Sequence, residues 1–172
     1  MNNTSTYTKI LENLQFLKSK ESLDVLDKTL DYVNKNNLSF IDGYLYLTEA
    51  QVEKKRENLI THSVHMAGFP KLKTLSEFEF DYQPSINQQQ IYDMNSLRFI
   101  EKKENIIFYG NSGVGKTHLA TALGVTAAQN RNSTYFIKCA DLMEILHKAH
   151  LEGRLAERLK KFCGYKLLII DE

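Results

Sequence analysis

The sequence predicts an α/β fold: a parallel sheet with helices, built around a phosphate-type loop, incomplete at its C-terminus and preceded by a small all-helical module. Three observations predict it. Gly110-Asn111-Ser112-Gly113-Val114-Gly115-Lys116-Thr117 matches G-x-x-x-x-G-K-[ST] in full. An apolar, β-prone run, Ile106 to Tyr109, precedes it, and Leu119, Ala120, Ala122, Leu123, Ala127 and Ala128 follow as a helix suited to packing on a sheet. A second apolar run, Leu167 to Ile170, ends in Asp171-Glu172.

The loop's residue types carry its chemistry. Glycine lets the backbone take conformations closed to other residues and approach a ligand closely. Amides from about Ser112 to Thr117 can then point at phosphate oxygens, at a helix N-terminus whose partial charge favours anions. Lys116 suits the β- and γ-phosphates of a nucleotide, and the Thr117 hydroxyl suits Mg²⁺. A chance glycine-rich turn is the bland alternative, and the flanking strand and helix argue against it.

Bulk properties set limits. The chain has 172 residues, enough for one domain or two small ones, and 42% of them are hydrophobic, enough for a packed core. Its formal net charge of +1 gives no global case for nucleic-acid binding, so any DNA contact must use a local patch. Cys139 and Cys163 fit no metal spacing and read as buried, reduced thiols. No apolar run has membrane-spanning length, and the first residues, Met-Asn-Asn-Thr-Ser-Thr, lack a signal-peptide core. A cytoplasmic protein without membrane contact is expected.

Residues 1–68 read as helices. Ile10, Leu11, Leu14 and Leu17 share one face, and Leu23, Leu26, Leu30 and Val33 step by three and four along a second helix. Asn36-Asn37 is a stop, and Ser39 with Asp42 a start. A third, longer helix carries Ile41, Tyr44, Leu45, Val52 and Leu59, a face that suits a partner as well as a core. Lys54-Lys55-Arg56, with Lys71 and Lys73 beyond, is the best basic patch here, although Glu53 and Glu57 can pair with it at helical spacing.

Residues 69–84 form a linker with Phe69, Phe78, Phe80 and Tyr82, which could meet an adenine ring but read better as core. Residues 85–172 hold the rest. Ser85 or Asn87 can cap a helix bearing Ile91, Met94, Leu97 and Phe99 or Ile100. Thr134 to Lys138 reads as a strand, Asp141 caps a helix with Leu142, Ile145 and Leu146, and Leu155, Leu159 and Phe162 mark another helix that Gly164 ends. Lys166 to Ile170 reads as a buried parallel strand.

Apolar residues ending in Asp-Glu downstream of a phosphate loop form a Walker B pattern. Asp171 at the strand's end can orient Mg²⁺, and Glu172 can polarise a water for attack on a γ-phosphate. That is weak alone and strong behind a complete loop. His62-x-x-His65 and His147-x-x-His150 lack further ligands and read as surface histidines.

With these residues assembled, the chain resembles the IstB-like helper ATPases of insertion-sequence transposition, AAA+ relatives of the DnaC helicase loaders. The resemblance rests on Phe69-Pro70 with Lys73-Thr74-Leu75, the Phe78 to Ile86 segment, Glu104-Asn105-Ile106, Gly113 to Ala120, Ala140-Asp141-Leu142, Glu152 to Leu155, and Leu167 to Glu172. It covers nearly the whole chain. It implies a P-loop NTPase sheet, ATP and Mg²⁺ held by Gly110, Asn111, Ser112, Gly113, Val114, Gly115, Lys116 and Thr117, metal support from Thr117 and Asp171, and catalysis by Lys116 and Glu172. It implies a helical module that meets a transposase, and ATP-dependent homo-oligomers on double-stranded DNA. A helicase loader is the nearest alternative and a small-molecule kinase a more distant one. The family continues past the Walker B glutamate into a sensor strand, an arginine finger and a helical lid, and its sheet order, 5-1-4-3-2, sets strand 4 between the phosphate-loop strand and the Walker B strand. The expectation is therefore a truncated product with an unpaired central position, impaired ATPase activity and poor solubility.

Overall fold

The computed structural model describes residues 3–172, with side chains from residue 6 onward. Met1 and Asn2, part of the stretch read for a signal peptide, lie outside the described residues. The elements are α1 (Asn3–Phe16), α2 (Lys20–Asn36), α3 (Phe40–Met66), 3-10 turns at Leu75–Glu77 and Phe80–Tyr82, α4 (Gln88–Asn95), α5 (Arg98–Lys102), α6 (Lys116–Gln129), β1 (Thr134–Lys138), α7 (Cys139–Leu151), α8 (Leu155–Cys163) and β2 (Leu167–Asp171). They form two compact units, residues 1–59 and 60–172.

In the first unit, α2 ends where Asn37 turns left-handed at φ 48°, and α3 starts on Ser39, whose hydroxyl accepts from the Asp42 amide at 3.2 Å. Small residues let α2 and α3 close on each other. Ser22 and Thr29 are buried beside Leu26, Gln51 donates to the Ser22 hydroxyl at 2.6 Å, and a Cβ on Gly43 would stand 2.7 Å from Val33 Cγ2. The predicted face of the third helix lies on its other side: Ile41, Tyr44, Leu45, Val52 and Leu59 are all exposed. A helix apolar on two sides has no single face that periodicity can assign to the core. The basic patch takes its bland form, with Lys54 paired to Glu57 at 3.5 Å and Arg56 to Glu53 at 3.6 Å, all exposed.

In the second unit the core sits on α6. Leu119, Thr121, Ala122, Leu123, Gly124, Val125, Ala127 and Ala128 are buried, as befits a helix covered on nearly all sides. β1 and β2 pair in parallel, from Thr134 opposite Leu167 to Lys138 opposite Asp171. The Phe136 amide also donates to the Ala67 carbonyl at 2.8 Å, tying the end of α3 to β1. Phe69 packs edge-on to Phe136, and Phe78 and Phe80 pack against Leu75, Ile91, Leu119 and Ala122, so these three rings of the linker belong to the core, whereas Tyr82 is exposed.

Four expectations are corrected. Ile106 to Tyr109 forms no strand; it lacks a ladder partner, leaving Ile107 86% and Tyr109 94% exposed. With β2 it lines a cavity of about 530 Å³. The helix after the linker splits into α4 and α5 because Leu97 turns left-handed at φ 63°; of the two candidate caps, Ser85 and Asn87, it is Asn87 that caps α4, accepting from the Gln90 amide at 3.1 Å. Asp141 lies in the first turn of α7, which begins two residues earlier at Cys139. Cys139 and Cys163 are exposed, since they are the first residue of α7 and the last of α8, where a helix end meets solvent.

Among the described residues, no helix is long and apolar enough to cross a membrane. His62, His65, His147 and His150 are exposed, and no three His, Cys, Asp or Glu residues cluster as metal ligands among the described residues.

Candidate functional site

The loop from Gly110 to Gly115 runs into α6 through left-handed glycines, Gly113 at φ 81° and Gly115 at φ 93°. An L side chain is disfavoured at both angles, and the first amides of α6, like those of any helix, have no partner within the helix. Lys116 is the first residue of α6. Its side chain is 17% exposed, and its ammonium donates to the Gly110 and Asn111 carbonyls at 3.0 Å each and stands 3.8 Å from a Glu172 carboxylate oxygen.

Thr117, one residue on, donates its hydroxyl to both carboxylate oxygens of Asp171, at 3.0 and 3.1 Å. These residues are 54 positions apart in sequence. They meet because β2 runs parallel to β1 and delivers its C-terminal end to the start of α6. Glu172 continues past the strand with its side chain 88% exposed. The structure thus brings Lys116, Thr117, Asp171 and Glu172 together at the mouth of the Gly110–Gly115 loop. Asn111, Ser112 and Gly113 lie exposed along it, with Val114 half-buried.

Residues outside the predicted set also touch the loop. A Cβ on Gly115 would lie 2.5 Å from Phe78 Cε2 and 3.1 Å from Cζ. His118 Nε2 donates to the Thr74 carbonyl at 3.0 Å, and Phe78 meets the His118 ring edge-on at 5.1 Å. Glu77 closes this turn by accepting from the Thr74 amide at 2.8 Å, which is the main reason its carboxyl is held below the ordinary range; Lys73 and His118 add smaller effects in the same direction. No pattern in the sequence connects Phe78 to Gly115. His118 could have been suspected from its place in the first turn of the loop helix.

The chemistry of the four convergent residues is that of an anion site beside a hard-cation site. Loop amides and Lys116 supply positive charge, while the Thr117 hydroxyl and the Asp171 carboxylate supply oxygen donors. The family described as IstB-like ATP binding protein matches residues 12–172. A relative from Bacillus thuringiensis subsp. berliner, named as an ATP-binding protein of insertion sequence IS232, is 49% identical over 168 residues, 98% of this chain and 67% of its own. One from Geobacillus stearothermophilus, named for insertion sequence IS5376, is 37% identical over 142 residues, 83% of this chain and 57% of its own. One from Pseudomonas aeruginosa, named for insertion sequence IS21, is 30% identical over 166 residues, covering 94% of this chain and 63% of its own. The chain therefore spans 57 to 67% of the length of these relatives. The matched span and these identities make the chain a member of the IstB-like ATP binding protein family.

Proposed function

We propose that the chain binds ATP with Mg²⁺ and serves as the helper ATPase of an insertion sequence in the cytoplasm, forming ATP-dependent oligomers on double-stranded DNA and recruiting or regulating the element's transposase. Residues 1–68 are the partner module in this reading, 69–84 the linker and 85–172 the ATPase part. One observation carries it: the Thr117 hydroxyl lies within 3.1 Å of both Asp171 oxygens, and Lys116 and Glu172 approach within 3.8 Å beside them. The names of the relatives favour transposition over helicase loading.

Gly110 to Thr117 would hold the phosphates through backbone amides and Lys116. Thr117 and Asp171 are oxygen donors already within 3.1 Å of each other and fit Mg²⁺, which would neutralise charge on the β- and γ-phosphates. Glu172 accepts the proton of the water that attacks the γ-phosphorus, while the bond from that phosphorus to the leaving ADP oxygen breaks.

Isothermal titration of the 172-residue chain with ATP and Mg²⁺ tests the reading. Wild type is expected to bind, and Lys116→Ala to bind about tenfold or more weakly, since a charge-assisted hydrogen bond is worth about 1.5–3 kcal/mol. Absence of binding by wild type, or equal affinity in Lys116→Ala, would overturn it.

A further inference from the structure

We propose that Phe78 is a positioning residue for the phosphate loop, and that the 74–80 turn tightens when ATP occupies the loop. The proposal rests on the ATP-binding reading above. The turn is itself well anchored. Thr74 and Glu77 form a reciprocal cap, with the Thr74 amide donating to Glu77 at 2.8 Å and the Glu77 amide to the Thr74 carbonyl at 3.3 Å. Leu75 is buried among Ile91, Leu119 and Ala122. A side chain carried by this turn is therefore held at a fixed height over the loop.

Phe78 uses that height. Its ring edge occupies the space into which a Gly115 Cβ would project, 2.5 Å from Cε2. The loop's other positive-φ glycines differ: a Cβ on Gly113 would meet nothing within 4 Å, and one on Gly110 would make ordinary contact with Val114 Cγ2 at 3.4 Å. Of the three, Gly115 at the hinge into α6 is the one braced by the Phe78 ring. Three residues on, His118 donates to the Thr74 carbonyl at 3.0 Å and meets the Phe78 ring edge-on.

Lys116 and Thr117 lie between these two points of attachment. Swinging their amides away from the loop requires rotation about Gly115, a residue with unusual torsional freedom. The Phe78 ring blocks that rotation from one side and His118 pins the next turn. The contact preorganises the loop, which reduces the ordering cost of binding phosphates. Coupling of this kind is reciprocal, so a ligand that orders the loop must also steady the turn.

Two measurements on the whole chain test this. Phe78→Leu keeps an apolar side chain in the core but loses the ring edge over Gly115. Its ATP dissociation constant, with Mg²⁺ present, is expected to rise about tenfold, within the usual five- to 150-fold range of such couplings. In the wild-type chain, saturating ATP is expected to slow hydrogen exchange at the amides of residues 75–80, and Lys116→Ala at the same ATP concentration is expected to lose that protection. The second measurement stands even if Phe78→Leu does not fold. If wild type binds ATP but residues 75–80 gain no protection, or a folded Phe78→Leu binds as tightly as wild type, the positioning role is wrong and the ATP site survives. If wild type binds no ATP, both readings fall.

Discussion

Gly124 lies in the middle of α6, where an alanine would ordinarily stabilise the helix by about 1 kcal/mol. The packing around it predicts the opposite sign. A Cβ built on Gly124 would lie 2.5 Å from Ile169 Cδ1 and 2.7 and 3.0 Å from Phe69 Cε1 and Cζ. Carbon atoms pack best at about 3.5–4.0 Å, so both neighbours must retreat by about 1 Å. Ile169 can yield through its terminal methyl. Phe69 is less free, because its ring lies edge-on to Phe136 in β1. Overpacking of this kind costs about 1–3 kcal/mol. Taking about 2 kcal/mol for it against about 1 kcal/mol of helix propensity leaves Gly124→Ala less stable by about 1 kcal/mol. The chain contains no tryptophan, so urea denaturation is best followed by far-ultraviolet circular dichroism. With a slope of about 2 kcal/mol per molar urea, the midpoint falls by about 0.5 M. A midpoint that rose would mean that propensity wins, and that Phe69 and Ile169 do not close on α6 as described.

Two further predictions concern the base of the loop. Leu119, 2% exposed at the centre of the cluster beneath the 74–80 turn, should lose about 2–5 kcal/mol of stability on replacement by alanine, read as a drop of about 4–20 °C in melting temperature; a loss below 1 kcal/mol would remove α6 from the role of core helix. The Glu77 carboxyl is held below its ordinary value of 4.5, first by the Thr74 hydrogen bond, so its stabilising contribution is complete above that value and disappears as pH falls through the lower folded value. The stability advantage of wild type over Glu77→Gln should therefore shrink on acidification below pH 4.5, and an advantage that grew there would refute the cap.

What the sequence made legible followed from how locally each feature is determined. Caps are local: Ser39 with Asp42 marks a helix start in the chain and in the structure alike, and the structure chooses Asn87 from the two caps, Ser85 and Asn87, that the sequence offers. The Thr117–Asp171 pairing spans 54 residues yet was readable, because each half carries its own motif and a parallel strand brings its C-terminal end to the loop. Ile106 to Tyr109 departs from its expected strand for the complementary reason. Its residues have β propensity, but a strand is a pairing, and propensity supplies no partner. The exposed stripe of α3 was ambiguous because burial depended on where Gly43 and Ser22 let two backbones approach, which apolar spacing does not record. Phe78 over Gly115 lay furthest from view. Its placement follows from the Thr74–Glu77 cap and the seating of Leu75, neither of which bears any motif relation to the loop. The glycine at 115 thus has two independent causes. Its backbone angle requires glycine in any loop of this shape, and the Phe78 ring would exclude a methyl even if the angle did not, so relaxing one constraint still leaves the other in force.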